Sequence, residues 1–333
     1  MTAWIFTHGD ADGICAGAIA LSANPGSRIF FTHPYGLLED LKAVEAGDHI
    51  IMCDIAIPDE NLSEVLRLFS SFAEKGSFLY LDHHPLPEGL EKSKLPGLVI
   101  HSLTSSSSEL AYFHFNPSMD QARTAIIGAI GDYLEETPRI QELLAKFDRR
   151  TLYFEAGLLI QGIEGKRRDY DLKRRIVQEL AKSLPLSSDR ELVDLALHQT
   201  RKEYEILKEL GKYILRIGRI AYTLGFPFSL SKTAQYAIGL TDALIGVAGE
   251  EWKGCVDASF RTRSPFVDLN LIIRRIAPKF GGSGGGHPKA AGARVPKESF
   301  QDFLKEIDGS LDEALVREKC KQPATNEASE KCK

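Results

Sequence analysis

The sequence predicts an α/β protein: a parallel-sheet domain with helices on both faces, joined by a helical connector to a smaller α/β domain. Three observations carry this. Short apolar strands alternate with helical patterns from Trp4 to Leu81. A charged helical stretch then intervenes, and short strands return after Gly218. The chain has 333 residues, which suits about two domains at roughly 100–200 residues each.

Trp4–Thr7 reads as a strand, and Gly13–Ala23, rich in Ala, Ile and Leu, as the helix packed on it. Arg28–Thr32 is a second strand, Leu37–Val44 a second helix and His49–Ile55 a third strand. Pro58 marks a helix start, where its missing N–H costs nothing. Asp59 and Glu60 suit the positive end of that helix, which runs to Lys75 and stops at Gly76. Ser77–Leu81 is the fourth strand; Ser105–His114 and Gln121–Leu134 are further helices. Continuous apolar strands between helices imply a parallel sheet covered on both faces.

From Arg167 to Leu215 the pattern is helical and charged, interrupted by Pro185, Ser187 and Ser188. Arg190–Leu215 reads as one long connecting helix. Strands are predicted at Arg219–Leu224, Tyr236–Leu240, Ala243–Ala248 and Val256–Arg261, then helices at Leu269–Ala277 and Ser299–Leu315. The expected division is a first domain over 1–185, a connector over 186–217, a second domain over 218–317 and a disordered tail over 318–333, poor in apolar residues.

The composition excludes several function classes. With 41 Lys+Arg against 46 Asp+Glu, the net charge of −5 gives no bulk attraction to nucleic acid or membrane, though a local basic patch is compatible with it. No apolar run is long enough to span a bilayer, and the start of the chain has no basic region of a signal peptide. Cys15, Cys53, Cys255, Cys320 and Cys332 are odd in number and widely spaced. They suggest neither a zinc ribbon nor a disulfide framework, and a cytoplasmic location is expected.

Four clusters carry chemistry. His8-Gly9-Asp10-Ala11-Asp12-Gly13 follows the first strand, Asp54 ends the third, Asp82-His83-His84 follows the fourth, and Asp132 lies late in the helix ending at Leu134. In an open parallel sheet the carboxyl ends of the strands line the ligand crevice. Carboxylates and imidazoles gathered there would repel one another unless they bound cations, and this donor set suits Mn²⁺ or a similar divalent ion. Two such ions roughly 3.5–4 Å apart can clamp a phosphoryl group and stabilise attacking and leaving oxygens. A calcium loop starting at His8 would put Ile19 where a bidentate Glu is needed, so that reading fails. Taken singly, Asp54 reads as a turn or cap residue and Asp132 as a solvated helix residue; their joint occurrence favours a metal site.

These residues resemble the DHH phosphoesterases: H-G-D-A-D-G at 8–13, Asp54 in C-D-I-A, D-H-H at 82–84 and Asp132 in I-G-D-Y. The second half resembles the associated DHHA1 domain through S-F-R-T-R at 259–263 and G-G-G-H-P-K-A-A-G at 284–292. The resemblance implies one metal on His8, Asp10 and Asp54, and another on Asp12, Asp54, His83 and Asp132, with Asp54 bridging. It implies two divalent ions, Mn²⁺ foremost, with Mg²⁺ or Co²⁺ as alternatives. His84 would contact the scissile phosphate or act as a general acid, and Asp82 would orient a neighbouring histidine. The H-x-D-x-D spacing is the RecJ-like version, not the H-x-x-x-D-x-D of many nanoRNases and family II pyrophosphatases.

In the second domain, Gly281–Gly286 reads by composition as a loop, and by resemblance Gly284, Gly285, Gly286 and His287 bind the far end of a substrate. Arg261 and Arg263 alternate along a predicted strand, so both point to one face, where they suit a phosphate or a base edge. Lys166-Arg167-Arg168 and Lys173-Arg174-Arg175 read as a solvated helix face. Ser105–Ser108 before Glu109 resembles a family position where a hydroxyl-rich turn starts a helix near the pocket, and reads at least as well as an N-cap with Glu in the first turn. The expected activity is hydrolysis of short single-stranded oligonucleotides from an end to nucleoside monophosphates. Alternatives are a nucleotide phosphatase acting on bisphosphorylated nucleotides, a cyclic-dinucleotide phosphodiesterase and, more remotely, a non-catalytic nucleotide-binding module. Neither a membrane nor a fixed oligomeric state is implied, and a homodimer stays open.

Overall fold

The structure is a computed structural model that describes residues 2–45 and 47–321, with side chains described as far as residue 311. It divides into two compact units, residues 1–202 and residues from 203 on. The first holds β1 (Ala3–Thr7), α1 (Ala11–Ala23), β2 (Arg28–Phe31), α2 (Leu37–Lys42), β3 (His49–Cys53), α3 (Leu62–Lys75), β4 (Ser77–Asp82) and β5 (Leu98–His101). Five helices follow: α4 (Ser107–Phe115), α5 (Ala122–Gly131), α6 (Pro138–Leu144), α7 (Arg149–Gly165) and α8 (Tyr170–Ala181).

The five strands form one parallel sheet in the order β2-β1-β3-β4-β5. Its faces bury alternate residues of the same strands. Ile5, Ile51 and Leu81 join a core with α1, α4, α5, α7 and α8, while Phe6, Ile50, Met52 and Tyr80 join one with α2 and α3. Both faces are therefore apolar, which is why these strands lack a polar alternation. The order reverses between β1 and β3, and a crevice at such a switch point is where open α/β sheets place ligands.

Several predicted boundaries move. Residues Pro58 to Asn61 form a turn and not a helical start, because Asn61 adopts a left-handed φ of 58° and α3 begins after it. Asp132 lies outside the apolar helix, as the residue capping the C-terminus of α5. Strand β5 is a mostly half-exposed edge that the apolar pattern does not reveal.

The helix α9 (Arg190–Leu210) crosses the division between the units. The second unit continues with β6 (Leu215–Ile217), β7 (Ile220–Leu224), α10 (Leu230–Thr241), β8 (Ile245–Trp252), β9 (Cys255–Thr262), α11 (Leu269–Ile276), β10 (Ser283–Gly286), β11 (Ala290–Pro296) and α12 (Phe300–Lys321). Its mixed sheet has the order β10-β11-β9-β8-β7-β6, and only β7 and β8 run parallel. Phe260, Val247, Ile273 and Phe303 pack in its main core.

Tyr236–Leu240, predicted as a strand, belongs to α10. That helix packs through small residues: a Cβ on Gly246 of β8 would strike the Ala234 carbonyl. The connecting helix stops at Leu210, since Leu215–Ile217 pairs as the edge strand β6. At the other end α12 continues through 321, so the first residues assigned to the tail are helical; 322–333 lie outside the described residues. Among the described residues no helix is long and apolar enough to cross a membrane.

Candidate metal centre

The first turn after β1 delivers His8, Asp10 and Asp12 together. Asp10 is the N-cap of α1, its Oδ1 accepting from Gly13 N–H at 3.0 Å, while its Oδ2 lies 2.7 Å from His8 Nδ1. Asp12 follows inside the helix, fully buried. Gly13 is required here: a Cβ would stand 2.5 Å from the His8 carbonyl and 2.9 Å from Asp54 Oδ2.

Asp54 follows β3 with φ at 60°, a left-handed conformation that costs energy for a residue with a Cβ. Its N–H donates to the Leu81 carbonyl at 2.9 Å, which holds the strained turn against the end of β4. Its Oδ1 accepts from Ser107 Oγ at 3.0 Å and lies 3.3 Å from His83 Nε2. Its Oδ2 is buried and has no hydrogen-bond partner among the described residues. His83 Nε2 also lies 3.2 Å from Asp132 Oδ2.

Two ligand sets result. His8, Asp10 and Asp54 offer donor atoms within 4.8 Å of one another, and so do Asp12, Asp54, His83 and Asp132. Asp54 is common to both. All six residues expected as metal ligands are thus gathered at the switch point of one sheet.

Asp82 lies behind this layer. It accepts from Tyr80 Oη at 2.6 Å and from His84 N–H at 3.1 Å, and its Oδ1 lies 2.9 Å from His84 Nδ1. Burial alone would raise its pKa; His84, His83 and Tyr80 outweigh this and hold it at about 2. A permanently ionised Asp82 fixes the ring of His84, whose own carbonyl accepts from His101 Nε2 when that nitrogen is protonated (2.7 Å).

Electrostatics identify what is missing. Burial, then Asp132, push Asp12 up to about 6. Burial and Asp10 raise Asp54 well above the usual carboxylate range. Burial would raise Asp10 too, but His8 outweighs it and drives Asp10 down; His8 is raised in return, chiefly by Asp10. Burial lowers His83, but Asp132 and Asp54 overcome this and lift it to about 12. Carboxylates pushed up by burial and by one another, beside imidazoles pushed up by those carboxylates, mark a cluster short of positive charge. The oxygen and imidazole donors and the orphaned Asp54 Oδ2 fit a hard or borderline divalent cation.

A family model described as the DHHA1 domain matches residues 232–313. The match lies wholly in the second unit, which is therefore a DHHA1 domain. A DHH-domain protein described as belonging to a family of ribosomal proteins is similar to the chain, with a TM-score of 0.72, 16% identity, and 93% of this chain matched to 86% of that one. RecJ from Thermus thermophilus, in complex with Mn²⁺, has a TM-score of 0.63 at 16% identity, over 94% of this chain and 52% of that one. A pGpG-specific phosphodiesterase, PggH from Vibrio cholerae, has a TM-score of 0.56 at 14% identity, over 94% and 100%. In sequence, an uncharacterized protein of Methanocaldococcus jannaschii is 48% identical over 50 residues, which span 15% of this chain and 12% of that relative.

In the DHHA1 unit, the glycine-rich segment is not a loop. Gly284, Gly285 and Gly286 lie in edge strand β10, paired with β11. A Cβ on Gly284 would meet the Gly292 carbonyl at 2.5 Å, so close pairing and not flexibility demands glycine there. His287 and Ala290 exchange both backbone bonds, so by antiparallel alternation the N–H groups of Gly284 and Gly286 point away from β11. That of Gly286 donates to Asn270 Oδ1 at 3.0 Å. Strand β9 ends at Thr262, so Arg263 is not a strand residue and the alternation argument covers Arg261 alone. Both still face α10: Arg261 donates to Ser231 Oγ at 2.5 Å, and Arg263 Nη2 lies 3.6 Å from a Cβ built on Gly239.

Sequence reasoning misses two contributors, Tyr80 and Lys173, and leaves Ser107 and Ser108 between a helix cap and a turn near the pocket. Tyr80 anchors Asp82 from inside the β4 pattern, where it reads as core. The N–H groups of Ser107 and Ser108 donate to the two oxygens of Asp12 at 2.6 and 3.0 Å, so the start of α4 steadies this carboxylate. Lys173 reads as part of a solvated face, yet it is buried. Its neighbours Arg174 and Arg175 do pair at the surface with Asp171, Asp189 and Glu191. The 3.6 period of Leu172, Ile176, Val177 and Leu180 puts Lys173 on the apolar side of α8, and that is the available signal.

Proposed function

We propose that the protein is a phosphodiesterase that uses two divalent cations, Mn²⁺ foremost, to hydrolyse short single-stranded oligonucleotides to nucleoside monophosphates. One observation carries this reading: two ligand sets share the buried, hydrogen-bond-deficient carboxylate of Asp54. His8, Asp10 and Asp54 would hold one ion, and Asp12, Asp54, His83 and Asp132 the other. Bound there, the ions supply Lewis acidity and charge neutralisation at a phosphoryl group.

The chain's own residues do the rest. Ser107 and Ser108 steady Asp12, and the Leu81 carbonyl holds the strained turn that aims Asp54. Asp82 occupies Nδ1 of His84, so the proton of the leaving oxygen falls to the Nε2 side of that ring. In the DHHA1 unit, Arg261, Arg263, the Gly284 N–H that points away from β11 and the His287 ring are donor types suited to phosphate. The acidic net charge argues against a long track for extended duplexes and favours small substrates.

Purified protein with Mn²⁺ should convert labelled di- to pentanucleotides to mononucleotides, in an activity abolished by chelator. Intact substrates would sink the proposal. A second reading, hydrolysis of a linear or cyclic dinucleotide signal, is favoured by the likeness to PggH. A substrate panel separates the two: only the second reading expects pGpG or cyclic dinucleotides to outcompete generic dinucleotides.

A further inference from the structure

The turn that carries Asp132 holds a residue that the fold does not require. Helix α5 closes with a pair of backbone bonds: Leu134 N–H donates to the Ala129 carbonyl at 2.9 Å, and Tyr133 N–H to the Ile130 carbonyl at 3.3 Å. A helix ending of this kind puts the residue after its cap in the left-handed region, where glycine is favoured because it has no Cβ to strain. Tyr133 occupies that position, with φ at 58°. Of the six other described non-glycine residues with positive φ, four are Asp or Asn, whose short polar side chains tolerate the region. Tyr133 is the one aromatic among them.

Packing does not offset this strain. Tyr133 is 79% exposed, and its ring makes no hydrogen bond or ring contact among the described residues. A lone exposed aromatic is ordinary on a protein surface, but a bulky one held in a left-handed turn is an outlier. The backbone beneath it is fixed. A Cβ on Gly131 would stand 2.7 Å from Ala11 Cβ, and one on Gly128 would stand 2.8 Å from Asp12 Oδ1. The end of α5 therefore lies tightly against the start of α1. Asp132, the residue just before Tyr133, has its Oδ2 3.2 Å from His83 Nε2. Tyr133 is thus a free ring on a fixed mount, one residue from the ligand cluster and outside both ligand sets.

We propose that Tyr133 is a stacking platform for a nucleobase that flanks the phosphate at the ligand cluster. The inference rests on the phosphodiesterase reading above and adds to it a residue that selects substrates carrying a base. Every base has a π-face, so an aromatic platform favours nucleotides over other phosphoesters without reading their sequence. A tyrosine ring has two side-chain torsions and loses little freedom when a base settles on it.

The test uses the full chain with Mn²⁺ and three dinucleotides: one with adenine at both positions, one with the first position abasic and one with the second abasic. Wild type should lose at least about fivefold in kcat/KM on one abasic form, mainly through KM, as the loss of one base–aromatic stack implies. Tyr133→Gly should bring that loss to within about twofold, and Tyr133→Phe, which keeps the ring, should retain it. Tyr133→Gly should also leave the metal-free protein melting at or above the wild-type temperature, because glycine relieves the strained position. A lower melting temperature would show that the tyrosine serves the fold, and overturns the proposal. Equal use of all three dinucleotides by wild type overturns it too, as does discrimination that survives in Tyr133→Gly or vanishes in Tyr133→Phe. If no dinucleotide is cleaved, the phosphodiesterase reading has failed separately. The platform is then decided by equilibrium dialysis of labelled adenosine 5′-monophosphate and ribose 5-phosphate with Mn²⁺ present. Binding of the nucleotide at least about fivefold tighter in wild type and Tyr133→Phe, but not in Tyr133→Gly, supports it. Equal binding of the two by wild type, or a preference that Tyr133→Gly keeps, overturns it.

Discussion

Asp54 shows how much one residue can carry. It has an unfavourable backbone conformation, a buried carboxylate and an oxygen with no hydrogen-bond partner among the described residues, costs that persist only where function maintains them. Asp54→Asn keeps the shape and tolerates the left-handed φ. It should lower Mn²⁺-dependent turnover by at least about a thousandfold, on the scale of several kcal/mol that a metal contributes to phosphoryl transfer. It should also raise the melting temperature of the metal-free protein, because a carboxyl with a strongly raised pKa opposes folding at neutral pH. A metal-free variant that melts below wild type would contradict this account. Asp82 makes the complementary case. Tyr80→Phe removes one donor from a buried carboxylate and should cost about 1–3 kcal/mol of stability in urea titration, with a smaller loss of turnover than His84→Ala. Of these residues the ligands are legible in the sequence, because their chemistry makes them stand out at strand ends. Tyr80 and Lys173 are not, since an aromatic in a strand and a lysine in a charged run look ordinary until their neighbours are known.

At the scale of elements, α1 builds the site by lying close against the ends of β1 and β3, and Gly13 sets how closely. Replacing a helical glycine by alanine ordinarily stabilises by about 0.5–1 kcal/mol. Gly13→Ala in α1 should do the reverse, because the new methyl would meet the His8 carbonyl and Asp54. Overpacking of this kind costs about 1–3 kcal/mol, read from the urea midpoint, and metal affinity should fall with it. The strands of the first sheet are legible because both faces are buried and the apolar runs are unbroken. Edge strands β5 and β6 are not, since short exposed segments carry no such run. Tyr236–Leu240 misleads for a related reason: five residues of mixed aromatic and aliphatic character fit a strand, and only the longer window over Leu230–Thr241 shows a helix. In β10 the composition of a flexible linker conceals a paired strand, because the close approach of β11 and α11 requires glycine.

At the scale of the whole molecule, the buried acidity of the first unit ties its stability to pH. Asp12, at about 6, binds a proton more tightly in the folded chain than in the unfolded one, whose aspartates titrate near 3.9. His83, lifted to about 12, does the same relative to an unfolded value near 6.5. Stability falls with rising pH wherever the folded state binds more protons. The Asp12 contribution is therefore lost between about pH 4 and 6, and that of His83 from about 6.5 upward. Without metal, the first unit should melt at a lower temperature at pH 8 than at pH 6. Metal binding runs the other way, because ligands must shed those protons to coordinate. The rise in melting temperature on adding Mg²⁺ or Mn²⁺ should therefore be larger at pH 8 than at pH 6 and nearly vanish at pH 5. Calorimetric scans of metal-free and metal-loaded protein across that range measure both slopes. A metal-induced rise independent of pH would show that the cluster of Asp12, Asp54, His83 and Asp132 is not where the ion binds.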